Sequence, residues 1–514
     1  MPVTSPASAT TRRACRRLVV GTMLCVAGLL TGPPSAHAVS DSEVFRDLRF
    51  VFLEPGARAV AMGGAFTAIG GDAVSAYYNP AALHFLPAWD VYLEHRSVDP
   101  GTENLDILTG SVAVDPVGGP TGLPYLEVTT AGDAARIDTP SFASFAWPFA
   151  IGTRPHRLTV AVSWQQVLST DPRLADASSR FAFDTYPNTV VGSEVQVYSV
   201  ATSSSGDLSA DVVYWNASLS YDLTQDFSLG LTVSYAELDL EGQSVTEIDD
   251  PLQLLFDPTH PRLAGQLNQD VYGTSAASAD SDFAYTIGLH WHPDSAFSGG
   301  QSPWGFGIAF AKGARFSVHE EVTFNGITDA AFETTLAVPD RYSAGVSYRT
   351  PRHWLFSAEY QRLEYSDLTE GFQAGVGFLT SPRLAAASYP VDPGATIDYE
   401  VNDSTVPRLG AEFRQRFAAD GGCELTAQVG YFQSDDAGIG MTGFNSLDPA
   451  VNQAYVDSFA GDGTVRHFTA GAGVRWGRYA LHLAGETSDV ERQVVLGFRI
   501  GADRRAPAGA GVAP

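Results

Sequence analysis

Apolar and polar residues alternate with a period of two through most of the chain beyond residue 88. Val213, Trp215, Ala217, Leu219 and Tyr221 alternate with Tyr214, Asn216, Ser218 and Ser220. Phe227, Leu229, Leu231, Val233 and Tyr235 alternate with Ser228, Gly230, Thr232 and Ser234. Phe283 to Trp291, Trp304 to Phe310, Tyr342 to Tyr348 and Phe468 to Trp476 repeat the pattern. Successive side chains of a strand point to opposite faces, so each segment predicts a strand with one oily face and one small or polar face. Such segments lie near 89–96, 141–149, 156–167, 211–222, 226–239, 281–292, 303–316, 340–349, 353–364, 406–417, 423–433, 464–476, 479–487 and 491–500. That makes about fourteen, each close to the roughly 9–11 residues that a tilted membrane strand needs.

The connections predict which way the strands run. Short ones at 151–155, 224–225, 350–352 and 418–422 alternate with long ones at 97–140, 168–210, 240–280, 317–339, 365–405 and 434–463. Short turns on the periplasmic side and long loops outside are expected of a bacterial outer-membrane barrel. With the first strand running outward, Trp89, Trp147, Trp291, Trp304, Trp354 and Trp476 all fall at the periplasmic ends. Aromatic rings gather at a membrane interface, whereas a soluble sandwich would put them at strand centres. The expected fold is an all-β transmembrane antiparallel barrel over residues 89–500, followed by a tail, 501–514.

No stretch after residue 38 is apolar and long enough for a membrane helix. Residues 1–38 read as an export signal. Arg12, Arg13, Arg16 and Arg17 precede an apolar run from Leu18 to Leu30 and an A-x-A site at Ala36–Ala38. The formal charge is −27, and losing those four arginines with no acid makes it −31. So acidic a chain is not a bulk nucleic-acid binder. Loop acids are commonly just solvated, although cation bridging at a lipopolysaccharide surface is the functional alternative.

Inward positions on this alternation carry Glu94, Glu359, Glu412, Glu424 and Glu486, and Arg408, Arg414, Arg416, Arg475 and Arg499. Such charges could line an open pore, or grip a segment folded into the lumen through paired charges. The segment 39–88 precedes the first strand and would fit there. Its core, EPGARAVAMGGAFTAIGGDAVSAYYNPAAL, is made almost wholly of small residues. Gly63 and Gly64 suit tight turns and close backbone approach. Asn79 can cap a short helix that begins at Pro80 and stops at Pro87.

This segment resembles the N-terminal hatch of the FadL/TodX family of outer-membrane transporters for hydrophobic compounds. PorV-type barrels share its small-residue character. The first resemblance implies passive uptake of long-chain fatty acids or other hydrophobic small molecules through a plugged barrel. Asn79, Pro80 and Ala81 would hold the hatch in the lumen. In the same segment, beside the turns at Gly63 and Gly64, Arg58 reads either as the partner of an inward glutamate or as a solvated arginine facing the periplasm. The second implies a partner-binding component of protein secretion. A simple porin is a third reading. For the family's apolar docking groove, the candidates are Leu252, Leu254, Leu255, Phe256, Leu263 and Leu267 in an oddly apolar outer loop. For an inner pocket they are Phe45, Leu48, Phe50 and Phe52. The expected partners are a hydrophobic solute, outer-membrane lipid and lipopolysaccharide, and the barrel-insertion machinery, with the chain itself a monomer.

Catalytic signatures are not apparent: there is no G-x-S-x-G, no H-E-x-x-H and no phosphate loop. No cofactor is expected. His290 and His292 are the only close histidine pair and share one strand face. No third ligand follows at a telling spacing, so a solvated or capping role is favoured over a metal site. Asp280 and Asp282 lack a calcium-loop pattern.

Overall fold

The computed structural model describes residues 52–100, 137–151, 156–170, 198–249, 269–296, 302–324, 326–368, 398–417, 423–435, 463–488 and 491–501, with shorter stretches within 125–134, 172–195 and 440–443. The expected export signal and the tail lie outside these residues.

Fourteen antiparallel strands close into a barrel. In chain order the wall strands are β1 (Asp90–Pro100), β2 (Ile137–Ile151), β3 (His156–Thr170), β4 (Tyr198–Asp222), β5 (Phe227–Asp249), β6 (Gln269–Trp291) and β7 (Trp304–Lys312). They continue as β8 (Asp340–Arg349), β9 (Trp354–Glu364), β10 (Ser404–Arg416), β11 (Glu424–Asp435), β12 (Thr464–Trp476), β13 (Tyr479–Thr487) and β14 (Glu491–Gly501). Each pairs with the next, and β1 pairs with β14 from Asp90–Gly501 to Pro100–Glu491. A closed ring leaves no strand edge unpaired, which a lipid environment demands.

Burial along the strands is inverted relative to a soluble protein. Phe283, Ile308, Tyr360, Val429 and Phe468 are more than half exposed, while Ser218, Ser220, Ser228, Thr232 and Ser234 are buried. The oily face therefore points outward to lipid and the small polar face inward. At one end of the ring Trp291 lies against Phe227 and Phe306, Trp304 against Tyr348, and Trp354 against Phe413. A second aromatic row crosses β3 to β6 in register: Trp164, Trp215, Tyr235 and Phe283. The eight steps from Phe227 to Tyr235 span about 27 Å along the strand. At the usual tilt that is about 20 Å of height, close to the apolar band of an outer-membrane barrel.

Strands β4, β5 and β6 run 25, 23 and 23 residues and project past the second row on the loop side. The segment 303–316, expected as one strand, breaks at Gly313–Ala314. The β6–β7 ladder covers Tyr285 to Trp291 and stops at Lys312. The chain then makes a hairpin of Arg315–Phe324 and Ile327–Ala337, whose first strand rejoins β6 only at Tyr272–Ala277. In the gap between these two ladders, side chains stand in for backbone partners. Asp282 accepts a hydrogen bond from the Arg315 amide at 2.8 Å, and Asp280 from the Ser317 amide at 2.8 Å. The sharp turn needs glycine, because a Cβ on Gly313 would sit 1.8 Å from the Val338 carbonyl oxygen.

Candidate functional site: the lumen

Residues 52–88 lie within the ring and touch its inner face on all sides. The segment holds two helical turns, Ala57–Val60 and Ser75–Tyr78, and a 3-10 helix, Pro80–Phe85. The rest is irregular backbone, whose N–H groups need partners wherever water is excluded. Wall carboxylates supply several. Glu94 accepts from the Gly56 amide at 2.6 Å, Glu359 from the Thr67 amide at 2.8 Å, and Asp90 from the Ala73 amide at 2.9 Å. Of the inward acids noted in the sequence, Glu94 and Glu359 are thus acceptors for an irregular chain, whereas Glu424 and Glu486 bond to side chains of the wall itself.

Arg58 donates through Nε to Glu412 at 2.6 Å and pairs with Asp72 at 3.3 Å. On the opposite charge pattern, Arg408 of the wall reaches Glu54 at 2.8 Å and the Gly63 carbonyl at 3.2 Å. Asn79 caps the 3-10 helix, its Oδ1 accepting from the Ala81 amide at 3.1 Å. Its Nδ2 donates to the Thr67 carbonyl at 3.0 Å and to the Leu289 carbonyl of β6 at 3.1 Å. Gly63 and Gly64 both have positive φ, 66° and 72°, a backbone region that favours glycine.

The wall meets this segment through glycines that the sequence reading passed over. A Cβ on Gly230 would lie 2.1 Å from the Ala81 nitrogen and 2.3 Å from the Pro80 carbonyl carbon. One on Gly288 would lie 2.0 Å from Asn79 Oδ1, and one on Gly307 2.2 Å from the Thr67 carbonyl oxygen. Across the ring, Gly410 faces Met62 and Gly430 faces Gly63 in the same way. Gly230 is paired with Gly288 and Gly410 with Gly430 in the strand register. Inward glycine on adjacent strands was the signal available in the sequence, since it lets one backbone lie directly against another.

Above the segment the inner face changes character. Along β5 the inward series runs Ser228, Gly230, Thr232, Ser234, then Ala236, Leu238 and Leu240. Along β4 it runs Ser220, Ser218, Asn216, then Tyr214, Val212 and Ala210. The apolar ends join Leu168, Phe316 and Val318 in a buried cluster, with Phe52 packed against it. A cavity of about 220 Å³ opens between this cluster and the segment, lined by Phe52, Tyr77, Tyr214, Tyr365 and Phe432 among others. Of the sequence candidates for an inner pocket, Phe52 lines this cavity. Phe45, Leu48 and Phe50 lie outside the described residues, as do Leu252, Leu254, Leu255, Phe256, Leu263 and Leu267.

Arg341 also lines the cavity. Its guanidinium sits 4.0 Å from the centre of the Tyr77 ring and donates to the Tyr77 carbonyl at 2.8 Å. Among the described residues no carboxylate pairs with it. Burial raises the pKa of Tyr77 above its ordinary value, with the charge of Arg341 opposing, so the phenol stays neutral. The lining is mixed: aromatic and aliphatic side chains share it with Glu54, Arg96, Lys312, Arg408, Asp435 and Glu486, and Arg341 is the cation there without a carboxylate partner among the described residues.

No family model matches the sequence, and no curated protein matches it. Solved structures do. A Pseudomonas aeruginosa FadL homologue superimposes with a TM-score of 0.53 at 13% identity, covering 89% of this chain and 100% of that one. The Ralstonia pickettii toluene transporter TbuX gives 0.45 at 13% identity, over 87% of this chain and 98% of that one. The Pseudomonas putida toluene transporter TodX gives 0.44 at 13%, over 88% and 99%. The class is that of the transmembrane β-barrels. Within it, the likeness to the first of these structures gives the chain a FadL-type fold.

Proposed function

We propose that the protein is a passive outer-membrane channel for hydrophobic small molecules, long-chain fatty acids among them, and that residues 39–88 act as its hatch. The observation that carries this reading is the switch of the inner wall from serine, threonine and glycine to leucine, valine and aromatic side chains above residues 52–88. That switch places a pocket with aliphatic and aromatic walls directly on the segment that would have to move for a solute to leave. Apolar and aromatic walls suit the oily part of a ligand, and polar groups among them fix its orientation. Arg341 adds a preference for a ligand with an anionic end, and a fatty acid has one. The solute concentration gradient would drive passage, and the toluene transport named for two of the structural neighbours is consistent with a solute of this class.

Uptake of labelled oleate and toluene by cells expressing the gene tests the reading. Arg341→Gln removes the cation and keeps the size. A charge-assisted hydrogen bond is worth about 1.5–3 kcal/mol. Oleate uptake at limiting concentration should therefore fall about tenfold or more, while toluene uptake holds. If neither solute enters faster than in cells lacking the gene, the transport reading is wrong. Failed export of tagged proteins in a deletion strain with intact uptake would favour the secretion role instead. Deleting 251–267 should lower uptake at low solute concentration and leave it unchanged at saturation. Equal uptake at both concentrations would remove the groove assignment.

A further inference from the structure

His290 and His292 do have a third companion, and it comes from the other end of the sequence. His84, at the end of the 3-10 helix Pro80–Phe85, stacks on His292 with ring centres 4.4 Å apart and lies 5.4 Å from His290. One nitrogen from each ring lies within 4.8 Å of the other two. All three residues are buried, so the solvated role expected for the pair does not hold.

The hydrogen bonds around the cluster decide which nitrogens are free. His84 Nδ1 is 2.9 Å from the Ala81 carbonyl and 2.9 Å from Ser228 Oγ. A carbonyl can only accept, so Nδ1 carries the proton and Nε2 the lone pair. His290 Nε2 is 3.3 Å from the Ala68 carbonyl, which leaves its lone pair on Nδ1. Within the cluster, His84 Nε2, His290 Nδ1 and His292 Nδ1 are buried without a hydrogen-bond partner. In a protein interior such orphans are rare and call for an explanation. An imidazole whose far N–H is held by a backbone carbonyl, with its lone pair free, is the arrangement found in metal-ligating histidines.

We propose that His84, His290 and His292 bind one divalent transition-metal ion, zinc or a first-row neighbour, and thereby tie the N-terminal segment to wall strand β6. Imidazole donors suit zinc, copper, nickel and iron, whereas calcium and magnesium take oxygen ligands. Three protein ligands leave a fourth position for water. Zinc–nitrogen bonds of about 2.0–2.1 Å in tetrahedral geometry put ligand atoms about 3.4 Å apart. Closing the cluster onto an ion therefore asks for movements of about 1 Å, within reach of side-chain rotation. Phe85 packs over His290 and His292 at 4.9 and 5.2 Å and shields that side of the cluster. The proposal stands whether or not the barrel transports oily solutes, because it concerns only the join between segment and wall.

The test uses the full-length chain without a histidine tag, purified in mild detergent and stripped with a chelator. Cobalt(II) titration should show one site per chain, with the intense visible absorption of four-coordinate cobalt and its loss on adding one equivalent of zinc. His84→Ala and His290→Ala should each weaken binding by more than the roughly 10–100-fold that loss of an outer-shell partner costs. Ser228→Ala, which only loosens the His84 ring, should weaken it by about tenfold. Folding of each variant is read from its heat-modifiable gel mobility. Should His84→Ala fail to fold, His292→Ala at the end of the strand carries the same test. No cobalt binding up to millimolar concentration overturns the proposal. So does binding with a weak octahedral spectrum that survives His84→Ala, which would mark adventitious surface coordination.

Discussion

A single leucine at Gly430 is expected to turn a closed barrel into a steadily conducting one. The first carbon of that side chain would fall 2.2 Å from the Gly63 nitrogen and 2.3 Å from the Met62 carbonyl carbon. Both are backbone atoms, so no rotamer change relieves the clash. β11 cannot retreat either, because it is laddered to β10 along Arg408–Arg416 and to β12 along Thr464–Arg475. The segment 52–88 must yield instead. In planar bilayers the wild-type protein should be silent or nearly so, and Gly430→Leu should give stable channels. Gly230→Leu, on the far side of the ring against Pro80 and Ala81, should do the same. Ala427→Leu is the control: it lies on the same strand, with its side chain exposed to lipid. Silent Gly430→Leu channels in correctly folded barrels would mean that the segment does not stopper the bore.

Removing the Glu412 carboxylate should loosen the same segment by a different route. Glu412 is 1% exposed and accepts from Arg58, from Arg414 at 2.8 Å and from Gln428 at 3.2 Å. In Glu412→Ala the Arg58 guanidinium keeps only Asp72, at the longer 3.3 Å. Breaking one partner of a buried ion pair costs about 3–5 kcal/mol, because the other charge stays behind. Local opening of residues 56–82 should become about two to four orders of magnitude more frequent. Amide hydrogen exchange of these residues in the detergent-held protein measures it. The triple replacement Arg58→Met, Glu412→Met and Asp72→Asn leaves neither Arg58 nor Asp72 as a stranded charge, and exchange should return most of the way to wild type. Exchange within threefold of wild type in Glu412→Ala would show that this pair does not hold the segment.

The wall was legible because lipid imposes one rule on every strand: apolar out, anything small or polar in. That rule yields the alternation in Phe227–Tyr235 and the tryptophans at the strand ends, and it places all fourteen wall strands. Legibility stops where lipid stops. The outer halves of β4 and β6 pair as regular strands, but serine, threonine and alanine occupy both faces there, so 198–210 and 269–280 read as loop. The break at Gly313–Ala314 was hidden because Phe316 and Val318 keep the alternation going after the chain has left the wall. They have exchanged a lipid-facing role for a place in the lumen cluster. Contacts of the N-terminal segment were legible only by type. Arg58 and Asn79 announce pairing and capping, yet nothing local in sequence names Glu412 or the Leu289 carbonyl as partners. His84 shows the limit most clearly. Its neighbours in space are more than two hundred positions away, and spacing rules apply only to ligands on one element or one loop.

The register that seals the ring also sets the order in which the molecule can be assembled. Asp90 at the start of β1 and Arg499 near the end of β14 meet at 2.6 Å, and Arg499 also holds the Gly71 carbonyl at 2.7 Å. The receptacle for residues 52–88 is therefore incomplete until the final strand has been threaded home beside the first. The stretch that leaves the ribosome ahead of every strand has to wait, without its partners, until the ring closes. A sequence rich in alanine and glycine, whose larger apolar side chains are spaced apart, is well matched to that delay.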